Sequence, residues 1–245
     1  MVSHSKALQP GSTIGIVGGG QLGRMTAIAA YRLGYKVHIF CDTRDSPAVR
    51  ITNLFTIAKY NNLKALRGFA KKVDVVTCEF ENIPFESLRY ISKIVPVRPG
   101  WKCFKIAQNR FREKNFLRKI NVDTAAFTAV ANRNELLTAL NNIKPPCVLK
   151  TAQLGYDGKG QVKINQNTKV NRIWKKGERD IKILEKYIDF DKEISVIVAR
   201  SLSGKIIAYD PAENLHRNHI LSRSTVPAKI PNRVAKQAKQ IAHKV

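Results

Sequence analysis

Acidic residues are scarce in this 245-residue chain, with 18 Asp and Glu against 43 Lys and Arg, a net charge of +25, and none at all after Glu213. Cysteine is scarce as well. Cys41, Cys78, Cys103 and Cys147 lie far apart with no CxxC pair, and three of them sit in or beside apolar runs. That spacing argues against a zinc site or a disulfide framework and predicts free thiols in a reducing compartment. No apolar run approaches the roughly 18 residues of a membrane span, and Met1-Val2-Ser3-His4-Ser5-Lys6 leads into no hydrophobic stretch, so a cytoplasmic chain with no membrane partner is expected. Glycine and proline, 14 and 10, are too few for a fibrous or low-complexity chain.

What is present is ordinary globular material, 44% hydrophobic and 25% charged, enough for one large or two modest domains. A basic excess of this size would normally put nucleic acid first among partners. Its distribution argues otherwise: residues 1–100, 101–150 and 151–245 carry +8, +7 and +10, with no basic arm. The densest stretch, Trp101 to Ile120, places Arg110, Lys114 and Arg118 at i, i+4, i+8 on one helix face, read most simply as a solvated face. The same field would also favour small anionic substrates such as nucleotides.

Along the chain, Thr13 to Val17 reads as a strand, Gly18-Gly19-Gly20-Gln21-Leu22-Gly23 as a glycine turn, and Arg24 to Leu33 as a helix stopped by Gly34. Strands follow at Lys36–Cys41, near Leu54–Ile57 and at Val73–Thr77, with helices over 63–71 and 85–91. Alternating βα units predict a parallel sheet whose ligands gather at the strands' carboxyl ends. After Arg98-Pro99-Gly100 the pattern changes. One basic helix is expected over about 102–120 and another over 133–140. The strand Cys147–Lys150 then leads into a glycine hairpin, Gly155 to Gln161. Later strands are expected at 181–184, 193–199 and 205–209, the last two joined by a Ser203-Gly204 turn, with a terminal helix from Arg233.

Two features carry chemistry. Gly18-x-Gly20-x-x-Gly23 after a strand, with Asp42 closing the next one, fits a dinucleotide fingerprint, although a glycine turn that merely packs helix on sheet looks the same. The alternative it opens is an NAD-dependent oxidoreductase. In the second, Lys150 at the end of an apolar strand needs an anionic partner, and the glycine hairpin beside it could fold over a polyphosphate. It is not a P-loop, since Lys159 lies between Gly158 and Gly160 with no Ser or Thr after it.

Gly15–Met25, Asp74–Pro84, Gly155–Gln161 and Glu213–His216 together resemble, in order and spacing, the 5-(carboxyamino)imidazole ribonucleotide synthases, ATP-grasp enzymes of purine synthesis. The resemblance implies an α/β fold with a Rossmann-like pre-ATP-grasp domain (1–100), a linker helix and small ATP-grasp subdomain with a glycine lid (101–186), and a partial ATP-grasp C subdomain (187–245). It implies a homodimer acting on ATP, bicarbonate and aminoimidazole ribonucleotide, with Mg2+ as cofactor. By resemblance, Arg110 and Lys150 are ATP-phosphate ligands, and Gly155, Tyr156, Asp157, Gly158, Lys159, Gly160 and Gln161 form the lid. Tyr156, Asp157 and Lys159 belong to the catalytic site. Glu185 and Ile188 hold adenine, Glu193 the ribose and His216 the nucleotide, while Gln21, Leu22 and Glu79 meet the ribonucleotide.

Members of that family run longer, and their further length carries the Glu and Asn-Glu that bind magnesium. No metal ligand is therefore assigned in this chain, and low activity is expected of it alone. A non-catalytic basic binding protein or gene remnant is the remaining alternative. Leu154 and His219 stand where the family has glycine, so Leu154 is expected to stiffen the lid and His219 requires a backbone conformation that a side chain can tolerate.

Overall fold

The computed structural model describes residues 7–154, 160–174 and 180–245. The chain folds as two compact units, residues 1–108 and 109–245.

The first unit begins with β1 (Thr13–Val17), α1 (Gln21–Arg32), β2 (Lys36–Cys41), a 3-10 turn (Val49–Ile51), β3 (Phe55–Ile57), α2 (Leu63–Ala70), β4 (Val75–Cys78), α3 (Phe85–Ile91) and α4 (Trp101–Ala107). Its four strands are all parallel in the order β3-β2-β1-β4, the Rossmann-like sheet expected from the alternation. Both faces are buried. Val17, Phe40 and Val76 pack on one side with Leu66, Phe69, Leu88 and Ile91 from the helices. Ile16, Val37, Ile39 and Cys41 pack on the other with Ala27 and Ala30 of α1. Gly15 makes room for this packing, because a Cβ there would lie 2.7 Å from Phe69 Cζ. Gly34, at φ +78°, ends α1 as expected.

The second unit begins with α5 (Arg110–Lys119). The expected single helix over 102–120 is two helices: Gln108 ends α4, donating to the carbonyls of Glu81 and Ile83, and Asn109 caps α5, accepting from the N–H groups of Phe111 and Arg112 at 3.1 and 3.0 Å. An Asn at that position starts a new helix because its side chain satisfies the first free N–H groups.

The unit continues with β5 (Phe127–Val130), α6 (Arg133–Ile143), β6 (Cys147–Thr151), β7 (Gln161–Ile164), a short α7 (Val170–Ile173) and β8 (Lys182–Lys186). These strands form an antiparallel sheet in the order β5-β8-β6-β7. Leu136 and Ala139 of α6 pack with Leu149, Ile164 and Leu184 of the sheet.

Then come β9 (Glu193–Ser195), β10 (Val198–Arg200), β11 (Ile206–Ala208), β12 (Ala212–Arg217), β13 (Ile220–Thr225) and α8 (Asn232–Lys244). The expected strand over 193–199 is split: β9 pairs with β12 in one sheet and β10 with β11 in another. β12 and β13 form a hairpin over Asn218-His219, both at positive φ (50° and 65°), the backbone of a two-residue primed turn. His219 thus adopts the conformation demanded of it, and Leu154 stands at φ +59°.

The candidate nucleotide site

In the first unit the glycine turn between β1 and α1 is already filled. Gly20 is the N-cap of α1 and receives no side-chain bond from the helix itself; its N–H donates to Glu79 Oε2 at 2.5 Å. Glu79 follows β4, and its backbone N–H donates to Val17 O at 2.9 Å, which fixes it across the turn. A carboxylate is favoured at this positive helix end. Gly18 stands at φ +113°, and a Cβ on it would be 2.6 Å from Glu79 Oε2; one on Gly20 would be 2.1 Å from Oε1.

The glycines therefore let a side chain of the protein approach. A dinucleotide pyrophosphate would have to displace a carboxylate from the same N–H, so the turn does not support an NAD role. Gln21 and Leu22 open α1 and are exposed, so the structure brings together Gln21, Leu22 and Glu79, the three residues expected to meet the ribonucleotide. Burial pushes the neighbouring Cys78 thiol up to about 12, leaving it protonated and unreactive at neutral pH.

In the second unit a cationic cluster forms around β6 and β8. Lys150 and Glu185 face each other across these strands, with Lys150 Nζ donating to Glu185 Oε2 at 2.8 Å. Lys114 Nζ, from α5, lies 3.6 Å from the other oxygen, Oε1. The Glu185 side chain is only 8% exposed, Lys114 17% and Lys150 27%, so this is a largely desolvated charge group. A buried carboxylate so held needs its cations, since leaving either charge unpaired would be strongly unfavourable. The near neighbour Lys186 turns elsewhere, its Nζ donating to Lys144 O at 2.9 Å.

Arg110, one turn before Lys114, is anchored to the end of β6. Its N–H donates to Ala152 O at 3.0 Å and its guanidinium to Thr151 O at 3.1 Å. Desolvation raises the Glu113 carboxyl from its ordinary value, against the pull of Lys114 and Arg110.

At the neck of the glycine hairpin, Gln161 pairs with Lys150, and Thr151 N–H donates to Gly160 O at 2.8 Å. Thr151 Oγ1 is buried with no hydrogen-bond partner among the described residues. Gly155, Tyr156, Asp157, Gly158 and Lys159 lie outside the described residues. The strand end therefore presents two cationic side chains, Arg110 and Lys150, a pair whose chemistry suits an anionic ligand.

Beyond β8, Ile188 is exposed. Glu193 and His216 form a pair of their own, Nδ1 to Oε1 at 3.5 Å, on neighbouring strands β9 and β12. Sequence reasoning missed Lys114. Its i+4 spacing from Arg110 was visible, but it suggested a solvated face, whereas the structure turns Lys114 onto Glu185 and lays Arg118 over the Phe127 ring at 3.8 Å.

Comparison with known proteins agrees with this architecture. Residues 11–108 match the ribonucleotide synthetase preATP-grasp domain, and residues 115–245 match the ATP-grasp domain. The chain is 46% identical to a bifunctional purine synthesis protein purC/E of Dictyostelium discoideum, over 97% of this chain and 24% of that protein. It is 40% identical to the N5-carboxyaminoimidazole ribonucleotide synthase of Brucella melitensis, over 98% of this chain and 67% of that enzyme. Among solved structures, an ADP complex of N5-carboxyaminoimidazole ribonucleotide synthetase superposes with a TM-score of 0.93 at 41% identity, covering 98% of this chain and 64% of that one. The chain thus spans about a quarter of the first relative and about two thirds of the other two. It belongs to the ATP-grasp family and, within it, to the N5-carboxyaminoimidazole ribonucleotide synthases.

Proposed function

We propose that this chain binds ATP in its second unit and serves the ATP-dependent carboxylation of aminoimidazole ribonucleotide with bicarbonate, a step of purine synthesis. The observation that carries the reading is the convergence of Arg110 and Lys150 at the end of β6, at the neck of a glycine hairpin. Their chemistry suits the triphosphate. Arg110 offers a planar fork held by the Thr151 carbonyl, and Lys150 a point charge that can exchange a carboxylate for phosphate oxygens.

Neutralising the charge that develops on a transferred phosphoryl group is the main task of such a site. In this reading Gly155 to Gln161 close over the phosphates, Tyr156, Asp157 and Lys159 complete the carboxylation site, and Glu185 and Ile188 border adenine. Glu193 and His216 meet the ribose side, and Gln21, Leu22 and Glu79 meet the ribonucleotide.

Mg2+ is a separate question. It takes one or two carboxylates together with phosphate oxygens, and it supplies charge neutralisation during phosphoryl transfer. The described residues do not fit it: Glu185, Glu193 and Glu213 are each engaged by Lys or His, and no group of three metal-binding side chains occurs among the described residues. We therefore place its ligands outside them and assign this chain alone little turnover. No described helix is long and apolar enough to cross a membrane. A cytoplasmic homodimer is the assembly proposed, and sedimentation would check it. The second unit is proposed to divide after residue 186, where the sheet of β5 to β8 ends.

Calorimetric titration of the intact chain with ATP tests the reading. Lys150→Ala should weaken binding by about 1.5–3 kcal/mol, the worth of a charge-assisted hydrogen bond. Unchanged affinity would overturn it. A turnover assay with ATP, bicarbonate and aminoimidazole ribonucleotide tests the second part, since robust phosphate release would show the chain sufficient by itself.

A further inference from the structure

The Glu185 carboxylate is shared between two lysines, and only Lys150 has a role in the reading above. Lys114 reaches the same carboxylate from a different element: α5 brings it to Oε1 at 3.6 Å, while Lys150 takes Oε2 at 2.8 Å. Lys114 is the less exposed of the two lysines, at 17% against 27%. Its ammonium is also 5.6 Å from the centre of the Phe127 ring, and Phe127 stands opposite Glu185 in the β5–β8 register. Lys114 is therefore directed inward on two sides, by a carboxylate and by an aromatic face presented from the next strand.

We propose that Lys114 is a positioning residue for nucleotide binding. It fixes one oxygen of Glu185 so that the other points at Lys150, and so sets where the Lys150 ammonium stands when phosphate arrives. The inference rests on the nucleotide reading of the site and adds to it the residue that orients the phosphate-binding lysine. With Lys150 alone, Glu185 would present both oxygens to a single ammonium, in a pair that closes on itself and competes with phosphate. Dividing the carboxylate between two cations weakens its hold on each and leaves the group with net positive charge. Lys150 can then transfer to a phosphate oxygen while Lys114 keeps Glu185 paired, so no buried charge is abandoned when ligand binds.

The test is ATP affinity measured by calorimetry on the full chain, for Lys114→Met, Lys114→Arg, Lys150→Ala and the Lys114→Met/Lys150→Ala double variant. Lys114→Met should weaken ATP roughly tenfold, Lys114→Arg should recover most of that, and the loss should shrink to less than about twofold when Lys150 is already Ala. A full tenfold loss persisting in the Lys150→Ala background would mean that Lys114 acts independently of Lys150, and would overturn the proposal. So would wild-type affinity in Lys114→Met. If instead Lys150→Ala itself leaves ATP affinity unchanged, the nucleotide reading fails first. Should Lys114→Met not fold, Lys114→Gln supplies the same comparison, because it also removes the charge.

Discussion

The two glycine turns of this chain carry opposite charge at their mouths. At the first, Glu79 is drawn in to Gly20 N–H, and Gly18, Gly20 and Gly23 exist to make room for that carboxylate. At the neck of the second, Arg110 and Lys150 are drawn to the end of β6, and Gly160, at φ +73°, closes against Thr151. At Gly18 and at Gly160 glycine supplies a positive φ and room for the adjacent side chain. The charge on the adjacent side chains differs, a carboxylate at the first and cations at the second, and that difference underlies the proposal that the second receives the triphosphate.

The sharpest way to break this comparison is Gly18→Ala. A methyl group at φ +113°, within 2.6–2.7 Å of Glu79 atoms, combines backbone strain with a clash against a side chain fixed by its own hydrogen bond. It should destabilise the first unit by about 3 kcal/mol in urea unfolding. Wild-type stability would show that Glu79 is not held in the turn.

The next largest effect contrasts two ways of burying an ionisable group. The second unit sets Glu185 between two lysines, whereas the first keeps His38 neutral. Burial, with Lys72 nearby, lowers its pKa to about 4, and Nε2 meets Thr56 Oγ1 at 2.9 Å. The unfolded chain, with an ordinary histidine near 6.5, binds the extra proton between these values. Stability from this group is therefore complete above about pH 6.5 and falls as the pH drops toward 4. At pH 5 the loss should be roughly 2 kcal/mol. Thermal unfolding of His38→Gln across pH 7 to 4.5 should show a flatter profile than wild type; parallel profiles would refute the assignment.

Gly160→Ala should be milder than Gly18→Ala, at about 1–2 kcal/mol. Its Cβ would meet Thr151 Oγ1 at 2.8 Å and Cγ2 at 3.1 Å, but that hydroxyl has no hydrogen bond among the described residues to lose. An effect as large as that of Gly18→Ala would mean the second turn is as tightly filled as the first. The smallest expected effect is Asn109→Ala, which removes the cap of the helix carrying Arg110 and Lys114. It should cost about 1 kcal/mol by denaturant unfolding, with Asn109→Asp close to wild type.

Much of this was legible in the residues. β1, the glycine turn, α1 and β2 announce themselves through β-branched runs, glycines and a helix-length gap, and these signals are local. The strand Cys147–Lys150 and its hairpin were visible for the same reason. β12 and β13 were not, because Asn218-His219 makes a primed turn without glycine and the flanking residues are largely polar. The run from 193 to 199 reads as one strand by propensity, yet it divides between two sheets, since pairing partners rather than intrinsic preference fix strand limits. In the site, resemblance pointed to Lys150, Arg110 and Glu185. Lys114 stayed hidden because periodicity gives a helix face but not what that face meets.

By itself the sequence determined the order of elements, the parallel sheet of the first unit, and the presence of two glycine turns, because turn chemistry and alternating hydrophobicity act over a few residues. Tertiary structure alone decided which turn is closed by Glu79, that Lys114 and Lys150 share one carboxylate 35 residues beyond Lys150, and that His38 is kept neutral. Those outcomes depend on burial and on charges meeting across the fold, where desolvation makes each pairing strong, and neither is encoded within a single local stretch of chain.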